Sequence, residues 1–438
     1  MARRLTPAMQ QFMDIKKEHP DCILFFRMGD FYETFFEDAR VASKELEITL
    51  TKRGRTPADK DIPLAGIPYH ALDSYLYKLT RKGYKVAIVE QLEDPKFAKG
   101  VVKRGLIRIV TPGTVLESKE LDTRKNNFVM AIAPLGQEEP GAGGIEKRRA
   151  GTGDTRTELT GAESYGIAFS DISTGEFLTT SVEGIDALLD CIRKYNPCEI
   201  ILPESLREFP AFMERARDIS AYFFDYPAQK FSFEHAYQAL LSHFNTDSLS
   251  AFFIDDNKAA VMSSGALLSY LKETQKTQLS YINTIRLVAE QEHMVLDATT
   301  LRNLEIFANL HDSSSKGTLF SVVNHTTTAM GARLLSQWLM SPLLDLAGIQ
   351  QRQDAVQALS DDVLLQKDLA AELRHIHDIQ RLISKIAYGS ANARDVVSLR
   401  SSLARIPALK KHLSQKLTNQ KQSSSAPTSP SLSLSSSS

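Results

Sequence analysis

Cysteine is scarce in this chain, and its scarcity excludes two kinds of scaffold. The three cysteines among 438 residues are Cys22, Cys191 and Cys198, and none has the close cysteine or histidine spacing of a zinc site. An odd number of cysteines also cannot form a complete disulfide framework. We therefore expect a chain without a structural metal and without disulfides.

Long apolar runs are also missing. No stretch reaches the roughly 18 apolar residues of a membrane helix. Met1-Ala2-Arg3-Arg4 leads directly into a helix signal, without a long apolar leader. Apolar residues make up 42% of the chain and charged residues 24%, an ordinary globular balance. We expect a cytoplasmic protein.

The sequence signatures of several enzyme classes are absent. The chain has no G-x-x-x-x-G-K-[ST] phosphate loop, and in the nearest segment, SKGT at 315–318, the lysine precedes the glycine. It has no nucleophile elbow of a Ser-His-Asp hydrolase and no cluster of zinc ligands. We therefore expect a chain that is not an enzyme, with no ATP-binding, metal-binding or catalytic residues and no cofactor of its own.

Charge is balanced overall but not along the chain. The formal net charge is −1, yet residues 1–112 hold 20 Lys+Arg against 15 Asp+Glu, which leaves 32 against 38 for the remainder. A basic first region on an acidic body points modestly to a polyanionic partner. The alternative is that this small excess has no functional meaning.

Hydrophobic periodicity divides the chain into three folded regions and a tail. We predict a mixed α/β region at 1–115, a second α/β region at 116–250, an all-α region at 251–421 and a disordered Ser-rich tail at 422–438. Residues 134–163 lack periodicity and indicate a mobile insertion within the second region. The fold class is therefore multidomain, with two α/β regions followed by helices.

The first region has the pattern of alternating helices and strands. Thr6 and Pro7 have the residue types of an N-cap and a first helical position. Asp30 is expected to begin a second helix, and Gly83 to end a third that starts near Leu72. Strands are predicted at 22–26, 47–51, 85–90 and 106–110.

The second region predicts a strand, a hairpin, a helix and another strand. The strands are expected at 127–133, 165–171, 175–181 and 199–202. The helix carries Ile185, Leu188, Leu189 and Ile192 at helical spacing. This order is typical of a layered α/β domain.

Phe31-Tyr32-Glu33 is the most informative segment. It places an aromatic ring and a carboxylate two residues apart, on a predicted short turn between a strand and a helix. Such a pair could wedge between DNA bases and test one of them by hydrogen bonding. The structural alternative is a capping box, with Asp30 as N-cap and Glu33 as its third helical residue. Phe31 could likewise pack in the core, four residues before Phe35.

The segment and its neighbours resemble motifs of the MutS family of DNA mismatch repair proteins, in the same order. These motifs are FRMGDFYE at 26–33, LTKRG at 50–54, AGIPYHA at 65–71 and RIVTPGT at 108–114. Further similar stretches are LDATTLRNLE at 296–305, MGARLL at 330–335 and HDIQRL at 377–382. The resemblance covers roughly residues 5–412 and corresponds to the front half of that family.

The resemblance implies an architecture and a set of partners. It implies a mismatch-recognition domain, an RNase H-like connector domain and a core/lever domain, with the family's clamp and ATPase domains absent. ATP and magnesium then belong to the full-length family. The implied partners are duplex DNA with mismatches or small loops and a MutL-type repair protein at the connector, in the bacterial cytosol or nucleoid. Without ATPase contacts, we expect a largely monomeric chain.

The resemblance also implies roles for particular residues. Phe31 would stack on a mismatched base, and Glu33 would hydrogen-bond to it. The residues expected to hold the DNA backbone or shape the groove-facing loop are Lys52, Arg53, Arg55, Pro68, Tyr69, His70, Lys103, Arg104 and Arg108. Each cation taken alone could be a solvated surface charge, and His70 could be a helix N-terminal residue.

Two other functions remain open at this point. The chain could bind no DNA and act, if at all, through protein contacts of its connector region. It could also be a nuclease, for which Asp171 and Glu176 are the only suggestive carboxylates, since such enzymes hold two metals in a carboxylate cluster. The structural alternative for Asp171 is a hairpin-turn residue.

Overall fold

A computed structural model describes residues 5–55, 61–93, 102–115, 122–135, 164–288 and 293–423 of the chain. Most of the predicted insertion, 136–163, and most of the predicted tail, 424–438, lie outside the described residues. Residues 134–135 belong to a strand, and 422–423 continue a helix, so both predicted boundaries are corrected by two residues.

The first region is a six-stranded sheet with helices on both faces. Its elements are α1 (Pro7–Glu18), β1 (Cys22–Met28), β2 (Phe31–Phe35), α2 (Phe36–Leu46), β3 (Thr51–Arg55), β4 (Asp61–Pro68), α3 (Leu72–Thr80), β5 (Lys85–Gln91) and β6 (Arg104–Val110), with a 3-10 turn at Tyr69–Ala71. The strand order is β3-β4-β2-β1-β5-β6. Only the β1–β5 pair is parallel among the pairings of this sheet, so it is a mixed sheet.

Two apolar layers hold this sheet between its helices. Met9 and Phe12 of α1 pack against one face, where Phe12 meets the rings of Phe26 and Phe35 edge-on. The other face packs against α2 and α3 through a cluster that includes Tyr32. Because successive strand residues point to opposite faces, the two clusters take alternate residues of β1 and β2.

Several predictions for this region are confirmed, and two are wrong. Helix α1 begins after Thr6 with Pro7 as its first residue, and strands lie at three of the four predicted places. Asp30 does not begin a helix: it lies in a turn, β2 follows, and α2 starts only at Phe36. Residues 47–50 are not strand, because Glu47 adopts a left-handed conformation that ends α2.

The second region is another six-stranded sheet. Its elements are β7 (Val129–Leu135), β8 (Ser164–Asp171), β9 (Glu176–Glu183), α4 (Gly184–Tyr195), β10 (Glu199–Leu202), α5 (Glu204–Arg207), α6 (Pro210–Arg215), β11 (Tyr222–Asp225), α7 (Phe233–Phe244), α8 (Lys258–Gln275) and β12 (Arg286–Leu287), with 3-10 turns at Ala228–Phe231 and Ser250–Phe252. The strand order is β11-β10-β7-β8-β9-β12. The predicted hairpin, helix and following strand are all present.

Helix α8 belongs structurally with this second sheet. It is buried along nearly its whole length, and its Val261, Leu267 and Leu271 share one apolar cluster with Val129 and Ala131 of β7. The predicted boundary after residue 250 assigned this helix to the following helical region. The correction has a simple cause, since a helix with apolar residues on all sides needs a sheet and neighbouring helices to cover it.

The third region contains only helices among its described residues, apart from an isolated bridge between His293 and Leu343. They are α9 (Ala298–Asn303), α10 (Leu319–Val323), α11 (Ala329–Met340), α12 (Leu346–Ser360), α13 (Val363–Leu373), α14 (Ile379–Tyr388), α15 (Ala393–Leu403) and α16 (Ile406–Ser423). Seven of them begin at a side chain that accepts a hydrogen bond from the first-turn backbone: Asp297, Thr318, Thr328, Asp345, Asp362, Asp378 and Asn392. In the part of the chain that the structure describes, no helix is long and apolar enough to cross a membrane.

A buried glutamate joins the first two regions. Glu199, at the start of β10, accepts a 2.9 Å hydrogen bond from the backbone N–H of Gly113 and another from the hydroxyl of Tyr270 on α8. Gly113 follows directly after the first sheet, so this carboxylate fixes the chain where it passes between the sheets. Burial raises the pKa of Glu199, although the hydrogen bonds from Thr111, Tyr270 and Gly113 act in the opposite direction.

We expect Glu199→Gln to change how stability depends on pH. A raised pKa means that the folded state holds the proton more tightly than the unfolded state, so this stabilisation is present below the ordinary glutamate pKa and is lost as pH rises. Relative to wild type, the free energy of unfolding of Glu199→Gln should therefore increase between about pH 4 and pH 8. Urea unfolding across that range measures it, with the exposed Glu214→Gln as control. A difference that does not vary with pH would contradict this assignment.

Candidate nucleic-acid interface

A tight hairpin presents the segment that the sequence singled out. Met28 at the end of β1 pairs with Phe31 at the start of β2, which leaves Gly29 and Asp30 as a two-residue turn. Gly29 has a φ of +62°, a conformation that glycine adopts without steric strain. A glycine with positive φ at the first turn position matches the tight turn favoured between antiparallel strands.

Strand alternation brings Phe31 and Glu33 to one face and sends Tyr32 to the other. Phe31 is 48% exposed, whereas Tyr32 is 4% exposed and packs in the core beside α2 and α3. Side chains two residues apart on a strand share a face and stand about 7 Å apart. In a helix they would point in nearly opposite directions. The prediction that this segment is a turn leading into a helix is therefore wrong, and so is the capping-box alternative. A strand holds the ring and the carboxylate on the same face, as contact of both with one DNA base would require.

Glu33 is held by Arg53 across an intervening strand. Nη1 of Arg53 on β3 lies 2.6 Å from a carboxylate oxygen of Glu33, whose side chain is only 16% exposed. The strand between them, β4, places Gly66 opposite Glu33, where a Cβ would lie 3.6 Å from the Glu33 Cγ. The arginine thus reaches across β4 and neutralises the carboxylate.

Arg27 supports the turn from behind, although the sequence patterns did not indicate this. Its Nε donates to the Gly29 carbonyl, and its guanidinium carbon lies 4.2 Å from the centre of the Tyr69 ring. Its Nη1 is 3.6 Å from a carboxylate oxygen of Glu90, which also accepts a hydrogen bond from the Tyr32 hydroxyl. A charged residue inside the apolar run of β1 is the signal that could have revealed it, since buried arginines need partners.

Tyr32 is thereby kept as a proton donor to this network. Burial and the hydrogen bond to Glu90 raise the pKa of Tyr32 above its ordinary range. The strand that carries Phe31 and Glu33 is thus anchored on its reverse side by one neutral phenol and one ion pair.

The loop after β4 borders the exposed ring. Pro68 pairs with Phe31 in the sheet register, and the Tyr69 backbone N–H donates to the Asp30 carbonyl at 2.9 Å. Tyr69 is half exposed, and His70 meets its ring edge-on at 5.7 Å between centroids. His70 lies in the 3-10 turn that precedes α3, as its structural alternative proposed. The backbone of this loop therefore lies beside the turn that precedes Phe31, while the Tyr69 ring lies over Arg27.

The other cations predicted to hold the DNA backbone differ in exposure and in their contacts. Lys52 and Lys103 are exposed, and Lys52 lies 2.7 Å from a carboxylate oxygen of Asp61. The Arg104 Nε donates to the Arg27 carbonyl at 2.8 Å, and its guanidinium lies over Phe26, on the face that carries Glu33. Burial lowers the pKa of Arg104 while the nearby Glu33 raises it. Arg55 lies in β3, and its side chain is outside the described part of the structure.

Arg108 lies on the opposite face of the sheet from Phe31. It pairs with Ile88 across a register shift between β5 and β6, so its side chain lies on the face of Tyr32, away from Phe31. The side chain is only 13% exposed and stands 4.0 Å from Asp73 of α3. The predicted backbone-holding role of Arg108 is therefore corrected, because its burial and its side of the sheet remove it from this surface.

Asp171 is a turn residue, in agreement with its structural alternative. One of its carboxylate oxygens accepts hydrogen bonds from the backbone N–H and hydroxyl of Ser173, and the other accepts the backbone N–H of Asn127. Glu176 accepts hydrogen bonds from Asn126 and Gln337. Among the residues that the structure describes, no group of three acidic, His or Cys side chains could hold a metal ion.

Comparisons with known proteins agree with the order of these regions. Family models described as MutS domain I, MutS domain II and MutS domain III match residues 6–119, 155–283 and 299–436. The DNA mismatch repair proteins MutS of Methanosarcina barkeri and Methanosarcina acetivorans are each 44% identical, over 416 and 420 residues. That of Symbiobacterium thermophilum is 42% identical over 412 residues.

These alignments include most of this chain but less than half of each relative. They cover 94%, 95% and 93% of this chain, and 44%, 45% and 44% of those proteins, respectively. The chain therefore spans somewhat under half the length of the curated relatives that it matches.

We predict that Arg27→Ala loosens the hairpin turn. The substitution removes the donor to Gly29 and leaves Glu90 without its cation, which should lower the free energy of unfolding by about 1–3 kcal/mol. Hydrogen exchange should accelerate at the Tyr69 amide, whose acceptor Asp30 lies in this turn. The matched control is Arg40→Ala, whose exposed ion pair with Glu37 should contribute under about 0.5 kcal/mol. Equal effects of the two substitutions would contradict the supporting role of Arg27.

Proposed function

The chain belongs to the MutS family of DNA mismatch repair proteins, and from that premise we propose that it binds mismatched or looped-out bases in duplex DNA. The observation that carries this proposal is the half-exposed ring of Phe31 beside the Glu33 carboxylate, on one face of an anchored strand. The supporting surface is the edge formed by Tyr69 and the nearby cations Lys52, Arg53 and Arg104.

The proposed recognition rests on the mechanics of DNA. A mismatched step pairs and stacks poorly, so it kinks at a lower free-energy cost than a matched step. An apolar wedge inserted from the minor groove requires unstacking that costs about a few kcal/mol per step. A ring on a rigid hairpin can perform this insertion, because the sheet behind it does not yield. Phe31 is proposed as that wedge.

Glu33 is proposed to test the base on which Phe31 stacks. An ionised carboxylate accepts hydrogen bonds and cannot donate them, so it selects bases that present a donor at that position. Its negative charge is unfavourable near phosphates, and Arg53 offsets that charge in the free protein. We propose that Arg53 turns toward the DNA backbone on binding, which leaves Glu33 free for the base.

We also propose that the second region is the connector domain of the family. The strand order of the second sheet, with β7-β8-β9 antiparallel and β10 and β11 parallel to β7, supports an RNase H-like connector. We propose a MutL-type protein as its partner and a cytoplasmic location for the chain. The matched family models are domains I, II and III, and we propose that these regions contribute the DNA-binding part of the family's function.

Phe31→Ala should remove most of the preference for a mismatch. Stacking of a base on an aromatic side chain contributes about 1–3 kcal/mol, which is roughly 5- to 150-fold in affinity. Weak, salt-sensitive binding to matched duplex should persist, because the cations provide it. Fluorescence anisotropy with a G·T duplex and its G·C counterpart measures the ratio of the two affinities.

The control for that experiment is Phe253→Ala, which removes a more exposed phenylalanine from the second region. It should leave both affinities unchanged. If the Phe31→Ala protein keeps the wild-type ratio, the wedge assignment is wrong. If the wild-type chain binds the two duplexes equally, the chain is not a mismatch reader and the alternative of protein contacts through the connector gains support.

Glu33→Gln should tighten binding to matched duplex and reduce discrimination. The amide keeps an acceptor for the base but removes a negative charge, and it releases Arg53 toward the phosphates. Combining it with Arg53→Gln in a double-mutant cycle separates these two effects, since only the release requires the arginine. The exposed Glu37→Gln on α2 is the matched control for loss of a carboxylate. Unchanged affinities of Glu33→Gln for both duplexes would contradict the reading role.

A further inference from the structure

A cavity of about 330 Å³ lies behind the proposed reading strand, where the three regions meet. Its walls come from β2, α3, β5 and β6 of the first sheet, from the end of α8, and from the end of α14. Tyr32, between Phe31 and Glu33 in sequence, contributes to the wall from the opposite face of β2. The cavity is therefore separate from the proposed DNA surface and close to it.

Three polar atoms in this wall are buried without hydrogen-bond partners. Among the described residues, these atoms are the Gln275 Oε1 and the hydroxyls of Thr277 and Ser390. Gln275 is fully buried, and its Nε2 is directed to the Ile109 carbonyl at 3.3 Å, which leaves Oε1 available as an acceptor. Buried polar atoms in native proteins are nearly always satisfied, so atoms unpaired within the protein have a partner outside it, either ordered water or a bound ligand.

The wall also has a cation and apolar surfaces. The guanidinium of Arg108 lines the cavity and has a carboxylate of Asp73 at 4.0 Å, which offsets its charge. Apolar lining includes Ile88 and Ile107. A largely apolar pocket with a few convergent polar groups is the usual character of a small-molecule site, and this volume is near the lower end of their range.

From this arrangement we propose that the cavity is a binding site for a small, planar, uncharged heterocycle with hydrogen-bond donors and acceptors on its edge, the class to which free nucleobases belong. Gln275 Oε1 requires a donor from the ligand, and Arg108 offers donors to a ligand acceptor. The hydroxyls of Thr277 and Ser390 serve in either role. A simple anion satisfies Arg108 but not Gln275, and a hydrocarbon satisfies neither.

Adenine is the first probe, with cytosine as a single-ring comparison and inorganic phosphate as the anionic comparison. Saturation-transfer NMR and calorimetry on the full chain should show saturable binding of adenine or cytosine and none of phosphate. Thr277→Val and Ser390→Ala should each weaken binding roughly three- to tenfold, as expected for one lost hydrogen bond. Ile107→Phe should abolish it by filling the cavity.

Matched variants place the binding in this cavity. Val356→Phe and Ser401→Ala, at exposed positions on α12 and α15, should bind adenine like wild type. Phe31→Ala should also bind normally; loss of binding there would mean that adenine stacks on the exposed ring and would overturn the proposal. Thermal unfolding checks folding, and Ser390→Ala provides the test if Ile107→Phe does not fold. Phosphate binding without base binding, no saturable base binding, or equal affinities of wild type and both hydroxyl variants would each overturn the proposal.

Discussion

The antiparallel pairing of β1 with β2 is the constraint on which the proposed site depends. Its two-residue turn requires positive φ at Gly29, and its register places Phe31 opposite Met28 and Glu33 opposite Phe26. Strand periodicity then directs the ring and the carboxylate outward on one face. A shift of one residue would bury both and expose Tyr32 instead. The proposed chemistry is therefore a consequence of register more than of composition.

Buried polar contacts keep that hairpin rigid and connect it to the body. The ion pair of Arg27 with Glu90 lies under the turn, and Glu199 holds Gly113 where the chain leaves the first sheet. Such groups contribute little net stability when paired, but an unpaired partner is costly. Paired groups of this kind favour the hairpin arrangement that keeps them paired over arrangements that would separate them. A wedge that bends DNA needs this property, because a compliant hairpin would deform before the DNA does.

Charge on the proposed surface is a balance between affinity and discrimination. Exposed cations attract any duplex, whatever its sequence, whereas the Glu33 carboxylate opposes close approach of phosphates. In the Arg53–Glu33 pair, a cation that attracts phosphates contacts the carboxylate that repels them. On the opposite face, Arg108 takes part in the junction between regions, so the basic residues of one sequence segment serve two different surfaces.

The sequence by itself determined the helices and strands that have strong local signals. It also contains the motifs that resemble the family. Thr6-Pro7 marked α1, the apolar run from Cys22 marked β1, and 199–202 marked β10 without error. It assigned the wrong state to 31–35, because Asp30 and Glu33 fit a helix cap. Pairing with β1 and β4 decided it, since both flanking strands gain backbone hydrogen bonds only if this segment is extended. Which cations share a surface was likewise decided by tertiary structure, because strand register and a bulge in β5–β6 set the side of the sheet on which each one lies.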